Sequence, residues 1–329
     1  MRAIVITKFG GPEVLELRDV ETPVPSRGEV RVRVRATAVN RADLMQRMGA
    51  YPAPPDSPQD IAGLELAGEV DALGEGVEGV TDLRVGDRVF GIVGGGAYAE
   101  HVVAHARALA KMPAAMSFTD AAAIPEAFIT AYDAMVTQAG LASGDVALVH
   151  AAGSGVGTAA VQIAHALGAR VIGTARTPDK LERARALGMN DSIVAKDGKF
   201  ADEVMRLTGG AGADVVLELV GGAYVSEDVA CVRSRGRIVL VGLMAGTRAD
   251  VDLATLLRKR ATLSGTVLRA RPLEEKIAAT QLFARRVVPL FESGALRPIV
   301  DRVMRLDEAA DAHRSMAANE GFGKLVLVC

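Results

Sequence analysis

Val146-Ala147-Leu148-Val149-His150, then Ala151-Ala152-Gly153-Ser154-Gly155-Val156-Gly157 and a helix-like run to Leu167, is the stretch that decides the fold. A short apolar strand ends in a turn of small residues that lets backbone approach a pyrophosphate. The helix that follows presents free N–H groups and a partial positive charge to the same anion. A strict G-x-G-x-x-G frame ending at Gly157 would need glycines at 152 and 154, where the chain has Ala152 and Ser154. An ordinary tight strand-to-helix turn is the alternative, and the flanking elements argue against it.

Outward from this turn, strand and helix patterns alternate. Strands are expected at Asp145–His150, Arg170–Thr174, Asp214–Leu219 and Arg237–Gly242. Helices are expected at Asp120–Gln138, Gly157–Leu167 and Asp179–Leu187. Such alternation predicts a parallel sheet covered on both faces. Before it, Met1 to about Met116 reads as an irregular β domain: a first strand from Met1, then Glu29–Ala38, where Val30, Val32 and Val34 alternate with Arg31, Arg33 and Arg35. Shorter apolar runs lie at Gly68–Ala72 and Asp87–Ile92, and Pro52–Pro58 is too proline-rich for a helix. After the sheet come helices near Leu273–Ser293 and Leu306–Asn319 and a last strand, Lys324–Val328. That tail is too short for a domain, so it should complete the first one. The expected fold class is α/β: a β-rich domain of residues 1–118 and 262–329, with a doubly wound nucleotide-binding domain, 119–261, inserted in it.

Bulk properties agree with a soluble two-domain protein. The 329 residues are half apolar and carry a formal charge of −2 with no basic stripe, so nucleic acid is not an expected partner. No apolar run is long enough to span a bilayer, so no membrane is expected either. The N-terminus lacks the pattern of a signal peptide. Two cysteines, Cys231 and Cys329, are too few for a disulfide framework, and a cytoplasmic setting is the simple inference.

Charge points to the dinucleotide. An NAD site usually has an acidic residue at the end of the second strand. Here Thr174-Ala175-Arg176-Thr177-Pro178-Asp179-Lys180 has none at the strand end. Thr174 or Thr177, with Arg176 and Lys180, would meet a 2′-phosphate, so NADP(H) is expected over NAD(H). Asp179 is the dissenting residue.

With the small-residue turn mid-chain and a β domain around it, the whole chain resembles the medium-chain dehydrogenase/reductase superfamily. In zinc alcohol dehydrogenases of that group a cysteine and a Gly-His-Glu segment supply ligands. The matching segments here are Asn40-Arg41-Ala42-Asp43 and Gly63-Leu64-Glu65, and both ligands are gone. No metal is therefore expected. His101 and His105 would share a helix face, but Tyr98–Val103 alternates like a strand, on which they would lie about 13 Å apart.

Within the superfamily the chain is similar to the zinc-independent quinone oxidoreductases, especially the p53-inducible quinone reductase group. The strings carrying this are Asn40–Arg47 with Gly49-Ala50-Tyr51, Ala121–Ala127, Ser154–Ala160, Gly242-Leu243-Met244 and Gly323-Lys324. The resemblance implies a GroES-like catalytic domain and a Rossmann domain with NADPH in the cleft between them. It implies cofactor contacts at Tyr51, Thr130, Gly153, Ser154, Gly155, Val156, Gly157, Thr174, Arg176, Lys180, Val220, Gly242, Leu243, Met244, Gly265, Thr266, Val267, Phe322 and Lys324. One departure is Ala195, where the group has a tyrosine near the phosphate. A homodimer is implied too, its sheets joined near Arg237–Gly242.

The implied chemistry is hydride transfer from NADPH to a quinone or similar electron-poor acceptor. Without a Lewis acid, the growing charge on the acceptor oxygen needs hydrogen-bond donors, and Tyr51 and Asn40 are the candidates. Asp43 reads as orienting Asn40 or Arg41. Tyr51 could also donate a proton; the plain alternatives are Tyr51 as mere packing in a proline-rich loop and Asn40 as simply tying down a turn through its side-chain amide. Two rival functions remain: an NADPH-dependent reductase of enoyl thioesters or enones, and an NADPH-binding sensor or structural protein with little turnover.

Overall fold

The computed structural model describes residues 1–329. Its strands are β1 (Arg2–Ile6), β2 (Leu15–Asp19), β3 (Glu29–Val39), β4 (Glu65–Leu73), β5 (Arg88–Ile92), β6 (His101–His105), β7 (Leu109–Lys111), β8 (Val146–Val149), β9 (Arg170–Ala175), β10 (Asp191–Val194), β11 (Ala213–Glu218), β12 (Val232–Leu240), β13 (Thr262–Gly265), β14 (Val300–Arg305) and β15 (Lys324–Val328). Its helices are α1 (Arg41–Arg47), α2 (Phe118–Ala122), α3 (Thr130–Tyr132), α4 (Gly155–Ala166), α5 (Pro178–Arg185), α6 (Ala201–Leu207), α7 (Tyr224–Cys231), α8 (Leu253–Lys259), α9 (Leu273–Arg286), α10 (Val288–Glu292) and α11 (Ala309–Ala318). No helix is long and apolar enough to cross a membrane. The chain forms two compact units, Met1–Ile129 with Leu268–Cys329, and Thr130–Val267.

In the first unit the sheet order is β14-β15-β3-β4-β5-β7, with β6 also pairing with β3. The tail joins this sheet through β15, whose Leu325 and Leu327 lie antiparallel to Val39 and Thr37. The valine–arginine alternation of β3 is realised as expected: Val30, Val32 and Val34 are buried with Leu66, Val70 and Val89. Arg31 and Arg35 turn outward to Asp71 and Glu69 at 2.9 and 2.8 Å. A second core, containing Ile4, Val39, Leu44, Tyr98 and Leu327, lies against α1 and α11 residues.

The second unit is a six-stranded parallel sheet, β10-β9-β8-β11-β12-β13. Leu148, Ile172, Val216 and Ile238 from four of its strands share one core. Both faces of these strands are buried, as a sheet covered on two sides requires.

Several expectations need correction. Asp120–Gln138 is not one helix: α2 stops at Ala122, and wide π-type turns occupy Pro125–Ile129 and Asp133–Gln138 around the short α3. Pro125 has no N–H to continue the ladder. Leu273–Ser293 likewise divides into α9 and α10 around Val287, ahead of Pro289. The strand over Arg237–Gly242 begins earlier, at Val232, and sits inside the sheet with parallel neighbours on both sides. It has no free edge to offer a second copy; that edge belongs to β13.

Candidate functional site

In the second unit the strand β8 leads into the turn Ala151–Ser154 and then α4. Ala151 takes a left-handed φ of 47°, a tight reversal normally left to glycine. Ser154 caps α4, its hydroxyl accepting from the Gly157 N–H at 3.0 Å. A Cβ on Gly157 would lie 2.2 Å from the Ala151 carbonyl oxygen, so only glycine lets the helix sit this close to the turn. Gly153 is buried and Ser154 exposed, with Gly155 and Val156 between those extremes.

At the C-terminal ends of β12 and β13, Leu240, Val241, Leu243, Gly265, Thr266 and Val267 line a cavity of about 270 Å³. Gly242, between Val241 and Leu243 in the chain, packs tightly: a Cβ there would meet the Leu219 carbonyl at 2.3 Å. Leu243, Met244 and Val267 are about half exposed. Val220 donates its N–H to Glu218, which also receives the Gly221 N–H at 2.8 Å. Thr130 is buried, and its hydroxyl has no partner. An apolar slot at the ends of β12 and β13, a glycine-closed helix N-terminus after β8 and an orphaned hydroxyl on α3, all within the second unit, fit a dinucleotide.

Arg176 and Thr177 are exposed after β9, with Lys180 partly covered. The carboxylate of Asp179 is held by the Thr177 hydroxyl at the start of α5. Thr174 is a correction: it is fully buried, and its hydroxyl bonds His150 Nδ1 at 2.8 Å, so it is not a phosphate ligand. Every side chain of β9 from Val171 to Ala175 is buried, so strand parity could not reveal this. The Tyr224 hydroxyl donates to the carbonyl of Ala195 at 3.4 Å.

His150, Glu218 and Asp228 form a fully buried trio that sequence reading missed. His150 Nε2 lies 2.8 Å from Asp228 and 3.8 Å from Glu218. Burial pushes Glu218 up to about 8 and Asp228 up to about 7, and pulls His150 down to about 4. The two carboxyls are therefore set up to share a proton beside a neutral imidazole.

The first unit holds a larger polar cluster. Asn40 precedes α1 in a capping box: its N–H donates to Asp43 Oδ2 at 2.7 Å. Its amide donates to Glu65 Oε1 at 2.8 Å and to the Ala38 carbonyl at 3.2 Å. Its Oδ1 accepts from Lys324 Nζ at 2.5 Å. Lys324 also donates to Glu65 Oε1 at 2.7 Å and to the Val39 carbonyl at 3.4 Å. This decides between the two readings of Asn40 and changes the expected role of Lys324. Both amide N–H groups of Asn40 are spent on the protein, so Asn40 positions rather than donates to an acceptor. Lys324 is buried with its donors turned inward, and Phe322 is buried beside it, its N–H on Asp301.

Asp43 is fully buried and accepts from the Gly63 N–H at 3.0 Å. Burial pushes it up to about 6, against those backbone bonds and the charges of Arg269 and Lys324. Behind it, Tyr98 donates to Asp43 at 3.3 Å and meets His313 Nε2 at 3.2 Å; Arg47 meets His313 Nδ1 at 3.3 Å. Arginine can only donate, so Nδ1 accepts and Nε2 carries the proton. Burial pulls His313 down to about 3 and keeps it neutral.

Tyr51 is partly exposed, and the guanidinium of Arg269 stacks 5.3 Å over its ring. Arg269 is anchored by Gln46 Oε1 at 2.5 Å and by the carbonyls of Gly94 and Tyr51 at 2.7 and 3.3 Å. Burial raises the Tyr51 phenol, which keeps its proton. Arg269 carried no local signal of function, and long-range packing alone brings it to Tyr51; Glu126, inside the Ala121–Ala127 string, acts on the Tyr51 phenol through its charge. His101 and His105 lie on β6, a strand as their alternation predicts, with His101 on Asp71 at 3.2 Å.

Comparison with known proteins agrees with both units. Residues 26–114 match the alcohol dehydrogenase GroES-like domain, and 155–285 the zinc-binding dehydrogenase family. A quinone oxidoreductase of Pseudomonas aeruginosa is 37% identical over 99% of this chain and 99% of its own length. The human quinone oxidoreductase is 31% identical over 100% of this chain and 98% of its own.

The chain belongs to the quinone oxidoreductase family of medium-chain dehydrogenases/reductases.

The crystal structure of the Escherichia coli quinone oxidoreductase complexed with NADPH superimposes with a TM-score of 0.89, at 29% identity and full coverage of both chains. As an oxidoreductase of this family, the chain carries Leu64 and Asn40 where zinc-dependent members carry ligands. Leu64 has no donor atom and Asn40 is bonded throughout.

Proposed function

We propose that this protein is an NADPH-dependent quinone oxidoreductase that works without a metal. The observation that carries the reading is a set of features within the second unit. There a helix N-terminus closed down by Gly157, an apolar slot and the unpartnered hydroxyl of Thr130 together suit a dinucleotide. NADPH, when bound, supplies the hydride. Gly153, Ser154, Gly155, Val156 and Gly157 would hold its pyrophosphate, and Arg176 with Lys180 its 2′-phosphate, with Asp179 withdrawn onto Thr177. Val220, Gly242 to Met244 and Gly265 to Val267 would line it.

The acceptor is a quinone or related enone. Tyr51, its phenol protonated and its ring held by Arg269, would hydrogen-bond the acceptor oxygen as charge grows there. Asp43 and Asn40 hold the surrounding charges in place. We further infer a cytoplasmic homodimer. The two cysteines are unpaired, and the unpaired edge of β13 with the exposed Leu253, Leu257 and Leu263 suits a second copy.

The test is steady-state oxidation of NADPH by 1,2- and 1,4-quinones and by a crotonyl thioester. Faster turnover with quinones supports the reading. Turnover with the thioester alone would move the activity to enoyl reduction, and tight NADPH binding with no turnover would leave a sensor.

A further inference from the structure

Glu126 has no role in the reaction as described so far. It stands in the wide turn Pro125–Ile129, the kind of helical irregularity that often marks a working site. Its N–H is pinned to Glu65 Oε2 at 2.8 Å, which fixes where the side chain starts. The residue is partly exposed, yet its Oε2 is shut off from solvent and has no hydrogen-bond partner. The charged groups acting on it come from four places in the first unit: Glu65 on β4, Asp43 on α1, Lys324 on β15, and Arg269. It acts in turn on the Tyr51 phenol.

This arrangement sets its protonation. Lys324, the ammonium that would favour an anion, is bonded to Glu65, Asn40 and Val39. Arg269 is held by Gln46, Gly94 and Tyr51. A second carboxylate beside Glu65 would be both desolvated and repelled. Burial first, and then the charge of Glu65, push the Glu126 carboxyl up to about 8. It is thus a neutral carboxylic acid at neutral pH, with one oxygen that bonds nothing in the protein, and its charge is felt by the tyrosine that would meet the acceptor. Those are the requirements of a general acid.

We propose that Glu126 is the proton donor of quinone reduction. The inference rests on the quinone reading given above. In each turnover the quinone gains a hydride, two electrons and one hydrogen, from the nicotinamide. It gains one proton from Glu126. The carboxyl O–H bond breaks as the acceptor O–H bond forms, and a proton from solvent restores the carboxyl before the next turnover, once product has left. The products are the hydroquinone and the oxidised nucleotide.

Glu126→Gln keeps the shape and removes the transferable proton; Glu126→Asp keeps the acid. The Gln variant should lose about a hundredfold in kcat while its Kd for NADPH, from fluorescence titration, stays unchanged. The wild-type kcat should fall as pH rises through about 8, when the acid is lost. That limb should persist in the Asp variant and vanish in the Gln variant. A readout without turnover is difference infrared spectroscopy of the protein alone. The wild-type spectrum minus that of the Gln variant should keep a protonated-carboxyl C=O band at neutral pH, beyond the bands of Glu218 and Asp228 that both proteins share, and that band should bleach near pH 8. Wild-type kcat and an unchanged alkaline limb in the Gln variant would overturn the proposal. So would absence of the band from the difference spectrum, taken against a Glu126→Ala variant if the Gln variant fails to fold. Failure of the wild type to reduce any quinone would overturn it together with the reading it rests on, and an intact band would locate that fault in the reading.

Discussion

Two buried polar clusters, one in each unit, solve the same problem in opposite ways. In the first unit Glu65 is paired with a fixed cation, Lys324 at 2.7 Å, and the charges of Arg269 and Lys324 oppose the burial that raises Asp43. In the second unit Glu218 and Asp228 are as deeply buried, but their partner is a neutral histidine, so protons must balance them. Cations hold a geometry at any ordinary pH. Protons hold it only while they stay bound. Glu126 belongs to the first cluster by position and to the second by chemistry, because the cations around it are already committed.

Removing a cation should do the most damage. Lys324→Met would leave Glu65 buried and unpaired, and chemical denaturation should show a loss of about 3–5 kcal/mol. A loss under about 1 kcal/mol would mean that the pair contributes little and that the contrast between clusters is false. Next in size is Gly157→Ala. The added methyl meets the Ala151 carbonyl at 2.2 Å, so NADPH affinity should drop about tenfold or more, read by fluorescence titration. Unchanged affinity would show that the turn can relax.

The charge of the phosphate pocket gives a comparable effect confined to one cofactor. Arg176→Ala should weaken NADPH about tenfold to a hundredfold while sparing NADH. Equal losses for both would remove Arg176 from the 2′-phosphate.

The smallest effect is on pH dependence. Glu218 and Asp228 have folded values raised above their unfolded ones, so their contribution is complete in acid and is lost as pH rises through about 7 to 8. His150 is depressed, so its contribution holds above the unfolded value and fades as pH falls toward about 4. Wild-type Tm should therefore decline by about 5 °C as pH rises from about 5 to about 8, and Glu218→Gln should flatten that decline. An identical slope in the variant would mean that the trio does not carry its charge by protons.

How much of this was legible in the sequence follows from range. The turn at Gly153 to Gly157 and the alternation of β3 are local, periodic signals, and both appear where they were expected. The π-type turns around Pro125 were not visible, because a 3.6-residue pattern hides a local five-residue hydrogen-bond step. Thr174 was misplaced because a strand buried on both faces has no polar side to read. Glu65, Glu126 and Lys324 meet across 61 and 259 residues of chain, so no local pattern links them. Asn40 was found by likeness to metal-ligand segments, but its bonding to Glu65 and Lys324 is a property of packing.

The central claim is hydride transfer from NADPH without a metal. The most direct measurement is single-turnover quinone reduction with NADPH and with NADPH deuterated at the transferred position, on protein exhaustively dialysed against chelator. The account predicts undiminished turnover after dialysis and a slower reaction with deuterium. Turnover lost to the chelator and restored by zinc would contradict it.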